Sequence, residues 1–213
     1  MHVPQLLSPP PLQEPLPLFP LQAVLFPDGL LPLKVFEARY VDLVTQCLRE
    51  GTPFGVLCLL QGSEAGRSAE AVRMRDVGVL AEVRDLDAEQ SGILRVSCKG
   101  MSRFRCTAAP HQQGNGLWVC SAEHIAADET HSPPAAQFAT VEALSRAIAS
   151  LRDQDLLPFA EPYRLDDAGW VANRWCELLP ISLAAKQNLM ALPDAAARLG
   201  LVDSYLRDMG VVV

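Results

Sequence analysis

Lysine is scarce in this 213-residue chain, with only Lys34, Lys99 and Lys186. There are 18 basic and 25 acidic side chains, giving a formal charge of −7. A surface of that sign opposes general attraction to nucleic acid or anionic lipid, because phosphate neutralisation needs clustered Lys and Arg. No uncharged apolar run approaches the ~20 residues that a bilayer crossing takes, so no membrane span is expected. The six cysteines, at 47, 58, 98, 106, 120 and 176, include no C-x-x-C pair and are too scattered for a disulfide scaffold. They read as reduced thiols of a cytoplasmic protein. Phosphate-loop, G-x-G-x-x-G, G-x-S-x-G and H-E-x-x-H motifs are all missing, which excludes P-loop ATP hydrolysis. The four histidines, His2, His111, His124 and His131, lack ligand-like spacing. They read as surface or loop residues, and no metal or cofactor is expected.

Hydrophobic residues make up 49% of the chain, enough for a substantial core without staples. Residues 1–13 hold repeated prolines and no Lys or Arg, so they read as an extended, disordered Pro-rich tail and not as a signal sequence. From 14 to about 130 the chain is punctuated by Gly and Pro between short Val/Leu/Ile-rich runs, the pattern of β-strands. Expected strands are Leu16–Phe19, Leu31–Phe36, Phe54–Leu60, Val77–Leu86, Ile93–Cys98, Ser102–Ala108 and Leu117–Ile125. One helix is embedded among them. Phe36, Tyr40, Leu43, Val44 and Cys47 recur at three- and four-residue steps, and Gly51 is a natural stop. Gly62–Glu70 is small and charged, the composition of a hairpin loop.

After His131-Ser132-Pro133-Pro134 the period becomes helical, and residues 131–213 read as a bundle. Phe138, Val141, Leu144, Ile148 and Leu151 form one stripe, and Leu199, Val202, Leu206 and Met209 another. Asp166 or Asp167, Ser182 and Asp194 are expected helix caps. Trp170 and Trp175, five apart, read as core, as do Phe138, Ile148, Leu199 and Leu206. Ser182 and Lys186 stand four apart, a spacing that a serine nucleophile and its lysine base could use. Ser182 lies at a helix start, however, so capping is the expected role. The acidic pairs Asp153/Asp155 and Asp166/Asp167 likewise suit helix ends better than acid–base work.

Three segments occur in order near the N-terminus: Leu16-Pro17-Leu18-Phe19-Pro20-Leu21, Val24-Leu25-Phe26-Pro27 and Leu33-Lys34-Val35-Phe36-Glu37-Ala38-Arg39-Tyr40. They continue in Phe54-Gly55-Val56, the Gly-x-x-Ala-Glu-Val segment within Val77 to Val83, and Gly100-Met101-Ser102-Arg103-Phe104. Leu178-Leu179-Pro180, Lys186-Gln187 and Arg198-Leu199 follow. Together they resemble the Lon protease N-terminal, substrate-binding domain over about residues 14–208. The resemblance implies an α+β fold: a PUA-like β pseudobarrel with an embedded helix, followed by a C-terminal helical bundle. The ATPase module and the Ser-Lys protease module of full-length Lon have no counterpart in these residues, so the chain reads as a stand-alone, non-enzymatic member.

The family motif maps onto Pro27, Phe36, Glu37, Arg39, Tyr40, Gly100, Arg103 and Phe104. In a structural role, Phe36, Tyr40 and Phe104 fill the barrel and Gly100 supplies a turn. Glu37 starts the helix and meets Arg39 or Arg103 as a forked partner. In a binding role, Arg39 and Arg103 present donors to a peptide carbonyl or carboxylate. The resemblance implies recognition of unfolded or extended polypeptide, or of a protease or chaperone component, as an adaptor in protein quality control. The alternatives are an RNA-binding PUA-like protein, using basic residues between Arg67 and Arg105, and an unrecognised hydrolase.

Overall fold

The computed structural model describes residues 12–62, 72–90 and 92–212. Most of the expected Pro-rich tail and nearly all of the expected Gly62–Glu70 loop lie outside the described residues. The strands are β1 (Leu16–Leu21), β2 (Leu30–Val35), β3 (Phe54–Gln61), β4 (Arg73–Met74), β5 (Val77–Gln90), β6 (Ile93–Cys106), β7 (His111–Gln112), β8 (Trp118–Cys120) and β9 (Ala122–His124). Helix α1 (Ala38–Glu50) is embedded between β2 and β3. The C-terminal helices are α2 (Phe138–Arg152), α3 (Ala168–Leu178), α4 (Leu183–Ala191) and α5 (Ala195–Asp208).

The sheet runs β2-β6-β5-β3-β1-β8-β7, with β4 on β3 and β9 on β6. The expected pseudobarrel is thus an α+β fold whose sheet is open and not a closed barrel. β1 and β3 pair in parallel, with α1 as their crossover, and the other pairings are antiparallel. Bulges near residues 79–81, 83–85 and 88–90 interrupt the β5–β6 register, and bulges bend and twist a ladder.

The two strands expected over 93–98 and 102–108 are one continuous strand, β6. Gly100 lies in its middle and makes no turn. A Cβ there would stand 2.2 Å from the Phe26 carbonyl oxygen. The glycine therefore permits the loop before β2 to press onto the strand, where Gly100 N–H donates to Gly29 C=O at 2.8 Å and Asp28 N–H donates to Gly100 C=O at 2.9 Å.

The helix ends follow the expected chemistry. Asp167 accepts from Gly169 N–H, Ser182 from Ala185 N–H and Asp194 from Ala197 N–H. Lys186 donates to the Glu177 carbonyl, so neither Ser182 nor Lys186 is arranged as a nucleophile–base pair. One apolar core is shared by sheet and helices, joining Phe19, Val35, Tyr40, Phe54 and Val96 to Leu144, Trp170, Trp175, Leu199 and Leu206. A smaller cluster holds Leu16, Leu18, Leu57, Leu80, Phe104 and Cys120. Phe138, expected in the core, is 55% exposed, and Met209, the last residue of the expected α5 stripe, is 59% exposed. Each sits at a helix end, where the stripe runs past the surface that the neighbouring elements cover.

Polar staples weld the helices to the sheet. Arg174 donates to the Pro27 carbonyl at 2.8 Å and pairs with Glu177. Gln187 donates to the Val77 carbonyl at 2.9 Å. Among the described residues no helix is long and apolar enough to cross a membrane.

Candidate functional site

β2 ends in Val35, and the chain turns into α1 through Phe36 and Glu37. Glu37 has extended backbone, and its carbonyl accepts the first helical amides, from Tyr40 and Val41. Its carboxylate meets the Arg39 guanidinium at 2.8 Å. Arg39 also donates to the Gly116 carbonyl at 2.7 Å, tying the helix start to the turn between β7 and β8. The Arg39 guanidinium lies 4.8 Å from the Tyr40 ring centre, a favourable cation–π distance. Tyr40 in turn stacks on Phe19 of β1 with centroids 4.1 Å apart. Of the two arginines expected to meet Glu37, it is Arg39 that does so.

This chain of contacts leaves Phe36 outside. Its expected place in the barrel is wrong, for it is 59% exposed while Tyr40 is buried. Phe36 borders a cavity of about 370 Å³ walled by Phe19 and Leu21 of β1, by Leu31, Leu33 and Val35 of β2, and by Tyr40. A second cavity of about 400 Å³ adjoins it, since Ala23 and Leu31 line both. Its walls add Leu25, Phe159, Leu178, Ile181 and Leu183, with Gln22, Glu177 and Lys186 as polar members. Burial pushes the Glu177 carboxyl up to about 7 against the opposing pull of Arg174. The two cavities make a track from the start of α1 to the α3–α4 turn, mainly apolar beside Phe36 and mixed in polarity where Gln22, Glu177 and Lys186 line it.

Arg103 is placed elsewhere. It is 3% exposed, and its guanidinium pairs with Asp128 while donating to the carbonyls of Leu192 at 2.9 Å and Met190 at 3.3 Å. Arg198 shares Asp128 at 2.7 Å. The expectation that Arg103 presents donors to a peptide therefore fails on burial: its fork is spent holding β6 to the end of α4. Arg198 stands among the motif segments but Asp128 does not, and the sequence does not show that the two meet Arg103, because the three residues are far apart along the chain. Pro27 acts through its carbonyl, Phe104 is wholly buried, and Gly100 serves close packing.

A third cavity, about 770 Å³, is lined by Leu12, Leu16, Leu80, Met101, Ser102 and His124 among others. Ser102 Oγ and His124 Nδ1 stand 3.4 Å apart there, a long contact between diagonal cross-strand neighbours. The basic residues from which an RNA-binding face would be built are partly consumed: Lys99 pairs with Asp28, Arg84 with Glu82, and Arg103 is buried. Among the described residues no group of three or more His, Cys, Asp or Glu side chains could hold a metal ion.

The crystal structure of a Lon N-terminal domain protein from Xanthomonas campestris matches this chain with a TM-score of 0.71 at 30% identity, covering 89% of this chain and 97% of that one. The N-terminal domain of Mycobacterium avium complex Lon protease matches with a TM-score of 0.58 over 91% of this chain and 98% of that one. At 16% identity that likeness speaks for the fold alone. Lon protease of Xanthomonas oryzae pv. oryzae is 27% identical over 204 residues, 90% of this chain but only 23% of its own length. The model of the ATP-dependent protease La (LON) substrate-binding domain matches residues 15–208, a span that takes in both the sheet and the helices, and the chain belongs to that family.

Proposed function

We propose that this chain is a non-catalytic recognition module for extended polypeptide, acting as an adaptor, and that its docking surface is the apolar track beside Phe36. The observation that carries the reading is the solvent-exposed Phe36 ring at the mouth of a groove whose walls are fixed by the Arg39 staple and the Tyr40–Phe19 stack. Membership of a substrate-binding family supports a polypeptide as the ligand.

The mode of capture follows from the phase of β2. The Gly100-to-Gly29 hydrogen bond sets residues 29, 31, 33 and 35 to pair with β6, so the backbone of 30, 32 and 34 faces the other way. Pro32, at the centre of that trio, has no N–H to offer an added strand. Apolar side chains of the ligand entering the groove, rather than a continuous ladder on β2, carry the affinity. Such capture tolerates many sequences, as recognition of unfolded chains requires.

The test is fluorescence anisotropy of a labelled, permanently unfolded polypeptide, with fragment size followed over hours. Saturable binding without cleavage is expected. Phe36→Glu should weaken it at least tenfold, about 1.4 kcal/mol, while leaving the denaturation midpoint of this exposed site nearly unchanged. No binding by the wild-type protein at ~100 μM, an affinity weaker than about −5.5 kcal/mol, would overturn the proposal.

A further inference from the structure

Cys106 at the end of β6 and Cys120 at the end of β8 bring their sulfurs to 3.1 Å. Both are free thiols. A disulfide has its sulfurs at about 2.05 Å, so an approach of about 1 Å would join them. Their proximity is set by the backbone. Cys106 faces Ala122 in the β6–β9 ladder, Thr107 N–H donates to Ser121 C=O at 2.9 Å, and Cys106 N–H donates to Asp76 C=O at 2.8 Å. Cys120 is buried while Cys106 is partly exposed, so the side from which a small reagent approaches the pair is that of Cys106.

The other four thiols are buried. Burial pushes Cys47 up to about 11 and Cys98 and Cys176 up to about 12, which withholds the thiolate that exchange needs. In the close pair the Cys106 S–H donates to Cys120 Sγ, which pushes Cys106 up and holds Cys120 below the ordinary thiol value. Once the pair has given one proton to solvent, the other is held between the two sulfurs, so a thiolate forms more readily there than at the isolated sites.

We propose that Cys106 and Cys120 form a reversible dithiol–disulfide site, oxidised by small disulfides of the glutathione class. In the first step the Cys106 proton passes to the Cys120 thiolate 3.1 Å away, and Cys106, now the thiolate, attacks one sulfur of the small disulfide. Its S–S bond breaks, and the departing thiolate takes up from solvent the proton that the pair gave up when its thiolate formed. In the second step the Cys120 thiolate attacks Cys106 Sγ, breaking the mixed disulfide and releasing the second small thiol with the Cys120 proton. Two protein thiols lose two electrons and one small disulfide gains them. The new bond closes the segment holding β7, β8 and Gly116, whose carbonyl receives Arg39. It therefore tethers from behind the hairpin that braces the start of α1.

The experiment equilibrates the reduced full chain with defined mixtures of oxidised and reduced glutathione, quenches with acid, and alkylates under denaturing conditions for intact-mass and peptide mapping. Free thiols should fall from six to four, with a single cross-linked peptide pair containing residues 106 and 120. Cys106→Ser should keep its remaining five thiols under the same mixture. Cys120→Ser should stop at a glutathione adduct on Cys106. Circular dichroism of both reduced variants establishes that they are folded. Six free thiols at an oxidised-to-reduced ratio of one, a cross-link between other cysteines, or unchanged oxidation of Cys106→Ser would each overturn the assignment.

Discussion

Replacing Arg103 by Met separates a structural from a ligand-binding role for the Arg-Phe element. The guanidinium pairs with Asp128 and donates to the carbonyls of Met190, Leu192 and Ala126. Met keeps much of the volume and removes every donor. Asp128 then still has Arg198 at 2.7 Å, and the Leu192 carbonyl still receives Arg198 at 2.5 Å. The Met190 and Ala126 carbonyls lose this donor without such a replacement. Breaking a buried ion pair from one side costs about 3–5 kcal/mol, and the retained Arg198 contacts place Arg103→Met near the lower end, about 3 kcal/mol. Urea unfolding, followed through the buried Trp170 and Trp175, measures it. Polypeptide affinity, measured below the unfolding transition, should stay within twofold of wild type. Arg103→Lys keeps the charge but not the fork and should fall between the two proteins. A stability loss below ~1 kcal/mol accompanied by tenfold weaker binding would refute the buried-hub argument and return Arg103 to the binding surface.

Leu199→Ala, at a fully buried position on α5, should cost on the order of 2–5 kcal/mol by chemical denaturation, and a loss under ~1 kcal/mol would mean that the site is not core. Asp203 on α5 accepts from the Thr140 hydroxyl of α2 at 2.5 Å and pairs with Arg207 at 2.9 Å. Burial pushes its carboxyl up, but the bonds from Arg207 and Thr140 outweigh this and hold it below the ordinary carboxylate value. The stability it contributes is therefore present above the unfolded value of about 3.9 and is lost as pH falls through the lower folded value. The advantage of wild type over Asp203→Asn should shrink as pH is lowered from 7 toward 3, and a gap that widens would contradict the sign.

The helices were legible because each announces itself locally. Asp167, Ser182 and Asp194 cap where an oxygen precedes an apolar stripe, and Leu144, Ile148, Leu199 and Leu206 keep the helical period into the core. The alternation of Leu94, Val96 and Cys98 marks one face of β6, on which Val96 and Cys98 are wholly buried and Leu94 packs against the core. The same local reasoning broke β6 at Gly100, because a glycine between two strand-like runs has the signature of a turn. What requires glycine there is a loop some seventy residues earlier, and short-range pattern carries no trace of it. Arg103 failed for the same reason: its motif is visible, but Asp128 and Arg198 are united with it only by the fold. The Cys106–Cys120 pair also arises across strands, so cysteine spacing alone suggested six independent thiols.

Phe36 was misplaced for a different reason, and the misplacement is informative. Its three- and four-residue spacing to Tyr40, Leu43, Val44 and Cys47 gives it the helical stripe, yet it precedes α1 and follows the β2 backbone outward. Burying a Phe side chain is worth about 1.5–3 kcal/mol, and here that gain is forgone beside a groove with room for apolar groups. The neighbouring motif residues do the opposite. Glu37, Arg39 and Tyr40 satisfy one another and reach Phe19 and Gly116, so the groove wall is braced before any ligand arrives. A braced wall spares the complex the ordering cost that a mobile one would add on binding. On the proposed reading the motif divides into residues that hold the groove and one that is left to the ligand, which makes Phe36, and neither Arg39 nor Arg103, the side chain whose loss should register in binding and not in stability.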